Sequence, residues 1–247
     1  MVPPPRSLGS TSELAPRFSH KRIVTAVLLA ALTLALPCFA ATVSGDGAGN
    51  LPSTALDFTG LDNKFTIQGS LPYDPNAGTF AEAVFKIDLS AYQFFSAATV
   101  TVTGGHFGFG IPDTELFLFD SSGNGVYAND DVSASNTLSF LPNPSGGLGP
   151  ALNGIYYLGI SFSADMPIDA VANELFSPSS STDVVAANLG VGSIAGWDHN
   201  VFASPDTDLI YYQIDVTTGV PEPSTLVLLL PGLAAVWRRY ARIGKRN

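Results

Sequence analysis

The sequence predicts an all-β domain, an antiparallel β-sandwich of jelly-roll-like type, flanked by an N-terminal signal helix and a C-terminal hydrophobic helix. Three observations predict it. Apolar residues recur with period two in most runs of residues 41–219. Gly- and Pro-rich turn signals separate those runs. No window there carries a long amphipathic helical pattern.

Taken in order, residues 41–79 are rich in Gly, Pro, Asp and Asn and should add one or two edge strands. Ala81, Ala83, Phe85, Ile87 and Leu89 then face one way, with Glu82, Lys86 and Asp88 facing the other. Thr99 to Thr103 alternates Thr and Val. Leu116-Phe117-Leu118-Phe119 is apolar on both faces and reads as a central strand. Tyr156, Leu158, Ile160 and Phe162 form one face of another strand, and Ile210, Tyr212, Ile214 and Val216 one face of the last. Turns are expected at Asp120 to Gly125, Pro142 to Gly147 and Asn153-Gly154. Ala164 to Phe176 holds at most a turn or a short helix. No repeat of fixed period is present.

Both ends carry processing signals, so the chain divides into 1–40, 41–219 and 220–247. At the first end, His20-Lys21-Arg22 precede an apolar stretch from Ile23 to Leu36, followed by Pro37-Cys38-Phe39-Ala40-Ala41. These are the basic, apolar and small-residue parts of a secretory signal peptide. Signal peptidase is expected to cut after Ala40 or Ala41. The lead of 19 residues before it is long and is consistent with a misplaced start site. Pro37 fits a lipobox at Cys38 badly, so ordinary cleavage is expected. Cys38 is the sole cysteine. The mature chain then has no disulfide, cysteine nucleophile or thiolate metal site.

At the other end, Pro221 and Pro223 fix φ and hold Val220 to Thr225 extended. An apolar run from Leu226 to Trp237, including Leu230 and Leu233, follows. At about 1.5 Å per residue it is short for a hydrocarbon core of about 30 Å. Arg238, Arg239, Arg242, Lys245 and Arg246 form a basic stop expected to stay in the cytoplasm. Motif, apolar segment and basic end in this order resemble the PEP-CTERM sorting signal of Gram-negative bacteria. The resemblance implies that Pro221, Glu222 and Pro223 are recognised by exosortase, a membrane-embedded cysteine protease that removes the anchor. It implies transient insertion in the inner membrane, then release to the outer surface or extracellular matrix.

Charge is segregated between these parts. The whole chain has a formal net charge of −10, but residues 41–219 carry 19 Asp and Glu against only Lys64 and Lys86. Such a surface repels nucleic acid and anionic lipid, and nucleic acid is excluded as a partner. It suits solubility outside the cell, and it suits divalent cations.

The best ligand candidates in the sequence are Asp113, Asp120, Asn129, Asp130 and Asp131, of which Asp120 with Asn129, Asp130 and Asp131 is geometrically the easier set, and calcium is the cofactor such oxygens would take. Asp113 precedes the central strand and Asp120 follows it, so a straight strand puts them roughly 20 Å apart and only one can join the set. The same residues also suit turn chemistry, with Asp120 and Asn124 capping one hairpin and Asp130-Asp131 starting another. Both readings stand. Asp206-Thr207-Asp208 reads as turn chemistry. His106 and His199 lack metal-spaced neighbours and read as loop residues. No Gly-x-Ser-x-Gly elbow is present, and nothing selects a carboxylate pair for glycoside hydrolysis. Gly190 to Gly196 is followed by no helical pattern, so it reads as a loop and not a dinucleotide site. Trp197 and Phe107 are the loop aromatics best placed to stack on a sugar ring.

From Phe80 to Phe162 the order Asp113-Thr114-Glu115-Leu116-Phe117-Leu118-Phe119-Asp120, Asn129-Asp130-Asp131 and Gly154-Ile155-Tyr156-Tyr157-Leu158 resembles secreted sandwich modules related to bacterial pre-peptidase C-terminal domains. The resemblance covers about a third of the chain and implies a non-catalytic accessory. The segment Ala164 to Ala203 departs from that compact pattern. The expected function is an exported, exosortase-processed surface or matrix protein, non-enzymatic, associated with exopolysaccharide or biofilm. A calcium-dependent carbohydrate-binding or adhesion module is the alternative, and an extracellular hydrolase a third reading.

Overall fold

The computed structural model describes residues 40–74, 78–89, 94–101, 113–144, 147–151, 153–199 and 209–218. All belong to the compact unit Ala40–Asn247. The expected signal helix, and the residues expected to serve for sorting (Pro221, Glu222 and Pro223), as anchor (Leu226, Leu230, Leu233 and Trp237) and as basic stop (Arg238, Arg239 and Arg242), lie outside the described residues. So do His106, Phe107, Asp206 and Asp208. Among the described residues no helix is long and apolar enough to cross a membrane.

The domain is all-β. Its first strands are β1 (Ala41–Ser44), β2 (Leu56–Asp57), β3 (Lys64–Asp74), β4 (Thr79–Phe80), β5 (Ala83–Asp88), β6 (Phe95–Thr99) and β7 (Thr114–Phe119). There follow β8 (Gly125–Asn129), β9 (Phe140–Leu141), β10 (Ile155–Phe162), β11 (Pro167–Ile168), β12 (Val185–Ala186), β13 (Gly196–Trp197) and β14 (Leu209–Thr218). The one described helical turn is 3-10, at Pro52–Thr54. One sheet runs β1-β3-β14-β6-β9, with β4 paired to β3. The second runs β12-β8-β7-β10-β5-β2, and β11 and β13 form a small ribbon.

Alternation builds the core. Phe65, Ile67 and Leu71 of β3 and Ile210, Tyr212, Ile214 and Val216 of β14 meet Phe85, Ile87, Leu116, Leu118, Leu158 and Ile160 of the second sheet in one apolar cluster. This arrangement is compatible with a β-sandwich. β7 is the central strand that its two apolar faces predict, between β8 and β10, with all six residues buried. Leu116 and Leu118 face the main core. Phe117 and Phe119 face a second cluster with Val84, Ala128, Leu175, Phe176, Ile194 and Trp197. Segment 163–199 therefore covers the outer face of the second sheet with Leu175, Phe176, Ile194 and Trp197, and adds its edge strand β12.

Three expectations are corrected. The fold is not purely antiparallel: β1 runs parallel to β3, and β2 parallel to β5. Residues 41–57 cross from an edge of one sheet to an edge of the other, and a crossover, unlike a hairpin, imposes no antiparallel direction. Of the strand expected at Thr99 to Thr103, Thr99 is the last residue of a strand that begins at Phe95, Val100 and Thr101 lie beyond its end, and Val102 and Thr103 lie outside the described residues. Trp197 does not sit on an exposed loop. It is 4% exposed, packs edge-on against Phe117 at 5.4 Å, and its indole Nε1 donates to the Asn50 carbonyl at 2.8 Å.

Candidate metal centre

Antiparallel pairing brings carboxylates from four strands to one rim of the second sheet. Asp113 and Glu115 stand where β7 begins, Asp130 and Asp131 just past the end of β8, Asp165 just past β10, and Glu82 just before β5. Register makes this a row. Glu115 pairs with Ser161. One step beyond Leu116↔Asn129, Glu115 faces Asp130, and one step beyond Ile160↔Ala83, Ser161 faces Glu82. Glu115 and Glu82 share the outer face with Phe117 and Val84. After β10 the chain turns through Ala164 at φ 67°, and the Ser161 hydroxyl donates to the Asp165 carbonyl at 3.0 Å.

These groups are buried with few partners. Glu115 is 1% exposed, Asp165 0% and Glu82 5%. Six buried side-chain oxygens among the described residues lack a hydrogen-bond partner. Five are at this rim: Glu82 Oε1, Glu115 Oε2, Asp130 Oδ1, Asp131 Oδ1 and Asp165 Oδ2. The sixth, Tyr212 Oη, lies in the other sheet. Leaving buried carboxylates unpaired costs several kcal/mol each, so something must neutralise them.

The electrostatics follow from that crowding. Burial, and next the charge of Asp130, hold the Glu115 carboxyl well above the usual range. Burial with the charges of Asp113 and Asp131 pushes Asp130 up to about 7. Burial and the adjacent Glu82 carboxylate push Asp165 up to about 9. Burial and the charge of Asp131 raise Asp113 as well. No lysine or arginine is among the charges acting on these four groups. Lys86 is engaged elsewhere, with Asp57 at 2.9 Å.

The donors gather in two groups. Asp113, Asp130 and Asp131 each place a carboxylate oxygen within 4.8 Å of the others. Ser163 Oγ donates to Asp130 Oδ2 at 3.1 Å and Ser181 Oγ to Asp131 Oδ2 at 2.5 Å, leaving Oδ1 of both aspartates unpartnered. An all-oxygen set with orphaned, partly buried carboxylates fits calcium. The second group is Glu82, Asp165 and His199.

Of the four residues the sequence prefers for calcium, the structure brings together only Asp130 and Asp131, and it is Asp113, the candidate set aside in favour of Asp120, that joins them. Asp120 is at the other end of the β7–β8 hairpin, as the length of β7 requires. Its Oδ1 accepts from Ser122 N at 2.8 Å and Asn124 N at 2.9 Å, and its Oδ2 from Asn124 Nδ2 at 2.9 Å. That is the turn chemistry foreseen as the other use of this residue. Asn129 is a brace: Nδ2 donates to the carbonyls of Asp131 and Asp183, and Oδ1 accepts from Phe140 N at 2.8 Å.

Sequence reasoning missed Glu82, Glu115, Asp165 and His199. Glu115 carried a signal, an acid inside an otherwise apolar central strand. The others are separated widely along the chain and share no local motif. No protein-family model matches this chain, and no curated protein matches it.

Proposed function

We propose that this chain is an exported, exosortase-processed, non-catalytic protein of the cell surface or extracellular matrix, whose jelly-roll-like sandwich is closed at one rim by calcium. The convergence of Asp113, Asp130 and Asp131, with Asp130 Oδ1 and Asp131 Oδ1 left without partners, carries the calcium part of this reading. Calcium would neutralise that group and tie the β7 entry to the β8 exit. Its role is to hold a fold that has no disulfide. The acidic surface would also take bridging calcium from an acidic exopolysaccharide.

Thermal unfolding of the chain in EDTA and in millimolar calcium tests this. Calcium should raise the wild-type midpoint by about 5 °C or more, since about 1–2 kcal/mol moves a domain of this size by that order. It should do little for Asp131→Asn. An unchanged wild-type midpoint sinks the calcium reading. Export is tested separately, by the intact mass of protein recovered from the host surface. Wild type should lack both ends, and a Pro221→Ala, Pro223→Ala variant should keep its C-terminal tail.

A further inference from the structure

The group Glu82, Asp165 and His199 is distinct from the calcium donors in both chemistry and construction. It joins three parts of the fold: the residue before β5, the turn after β10, and the second residue after β13. Each carboxylate spends one oxygen on orientation and keeps the other. Glu82 Oε2 accepts from Asn50 Nδ2 at 3.2 Å, and Asp165 Oδ1 from the His199 backbone N–H at 3.0 Å. The remaining oxygens, Glu82 Oε1 and Asp165 Oδ2, have no hydrogen-bond partner although both residues are more than nine-tenths buried. Both face His199 Nδ1, at 3.2 and 3.8 Å.

Ligands about 2.0–2.2 Å from a tetrahedral or octahedral ion stand roughly 3–3.6 Å from one another. The Glu82 separation of 3.2 Å falls in that range, and the Asp165 separation of 3.8 Å needs only a small closure to share an ion. The backbone prepares the site. His199 has φ 54°, a left-handed conformation, and the strand pair beside it is latched by Asp198 N to the Met166 carbonyl at 2.9 Å and Met166 N to Asp198 Oδ1 at 3.0 Å. The imidazole is 41% exposed, which gives an ion its entry path and leaves positions open to water.

We propose that Glu82, Asp165 and His199 form a second cation site that takes a first-row divalent transition ion of the zinc or manganese type, and that the ion fastens segment 163–199 to the second sheet. The imidazole nitrogen selects against calcium, which takes oxygen ligands, while two carboxylates and one imidazole suit zinc or manganese. The segment is already tied to the second sheet at its far edge, where β12 pairs with β8. At the β5 and β10 side the short β11–β13 ribbon, loops and the second apolar cluster hold it over Phe117 and Phe119, and the ion would fasten that side.

The test uses the untagged full chain, stripped of metal and then saturated with calcium so that the other group is filled. Cobalt(II) is the spectroscopic probe and zinc the thermal one. The wild type should bind one cobalt per chain with visible ligand-field bands, and zinc should raise its unfolding midpoint. His199→Ala, at an exposed side chain, should fold but lose the bands and weaken cobalt binding by more than about tenfold. Asp131→Asn should keep both responses while losing the calcium response, so the two readings fail separately. Absence of cobalt binding in the wild type, or equal binding by His199→Ala, overturns the proposal. So does a metal-stripped Glu82→Gln chain that melts higher than wild type while wild type ignores zinc, because the two acids would then be sharing a proton.

Discussion

Asp120 and Asp169 solve the same local problem with the same five-residue turn. In each, Oδ1 accepts the backbone N–H groups two and four residues on, and Oδ2 accepts the Asn side chain at the fourth position, Asn124 or Asn173. The residue at the third position donates to the aspartate carbonyl and has positive φ: Gly123 at 83° and Ala172 at 63°. Only the first is glycine. An alanine there carries a steric penalty of about 1–2 kcal/mol, partly offset by the greater unfolded freedom of glycine. Ala172→Gly should therefore raise the unfolding midpoint by about 2 °C, and Gly123→Ala should lower it by a similar amount, both read by calorimetry. Asp169 also takes Gly192 N at 3.0 Å, and these N–H donors hold its carboxyl down at about 2. The Asp120 turn was legible in the sequence because Asp-Ser-Ser-Gly-Asn announces itself. The Asp169 turn was not, because Ala172 hides the positive φ.

Among the elements, β3 shows why an alternating pattern can pass unread. Its core face runs Phe65, Ile67, Gly69, Leu71, broken in the middle by glycine. The missing bulk comes from the neighbouring strand. Tyr212 pairs directly with Gly69, and a Cβ on Gly69 would stand 2.7 Å from the Tyr212 Cζ. Gly69→Ala should cost about 1–3 kcal/mol, seen as a lower denaturant midpoint with an unchanged slope. A wild-type midpoint for that variant would mean the ring can move aside. β7, β10 and β14 were legible because each keeps its own face complete. Segment 163–199 was not, since β11, β12 and β13 are two residues each and show no period. Trp197 fixes its position, and Trp197→Ala should cost about 3–5 kcal/mol by opening a cavity over Phe117. Loss of far less stability would show that the segment is not packed as described.

At the scale of the molecule, folding gathers acids that repel one another when no cation is present. Carboxyls whose pKa rises on folding hold more protons in the native state than in the unfolded one. Their contribution is full below about pH 4, the unfolded carboxyl range, and is lost as pH rises. The loss runs through about 7 for Asp130 and about 9 for Asp165. In EDTA the midpoint should therefore fall between pH 5 and pH 9, by about 5 °C or more. Divalent ions should flatten that fall by taking the place of the protons. A midpoint that rises with pH in EDTA would contradict the rim as described. The excess of acid was plain from composition, but its concentration at one rim depends on cross-strand register, which no single stretch of sequence contains.

The two lysines of residues 41–219 both lie inside paired strands. Lys64 opens β3 opposite Thr217, and Lys86 sits in β5 between Tyr157 and Asp57. No arginine occurs in that region. A trypsin-like protease thus finds only two bonds it can cut there, each held in a ladder and out of reach of an active site that needs an extended, unpaired peptide. Trypsin-like enzymes should therefore leave this domain intact for as long as it stays folded.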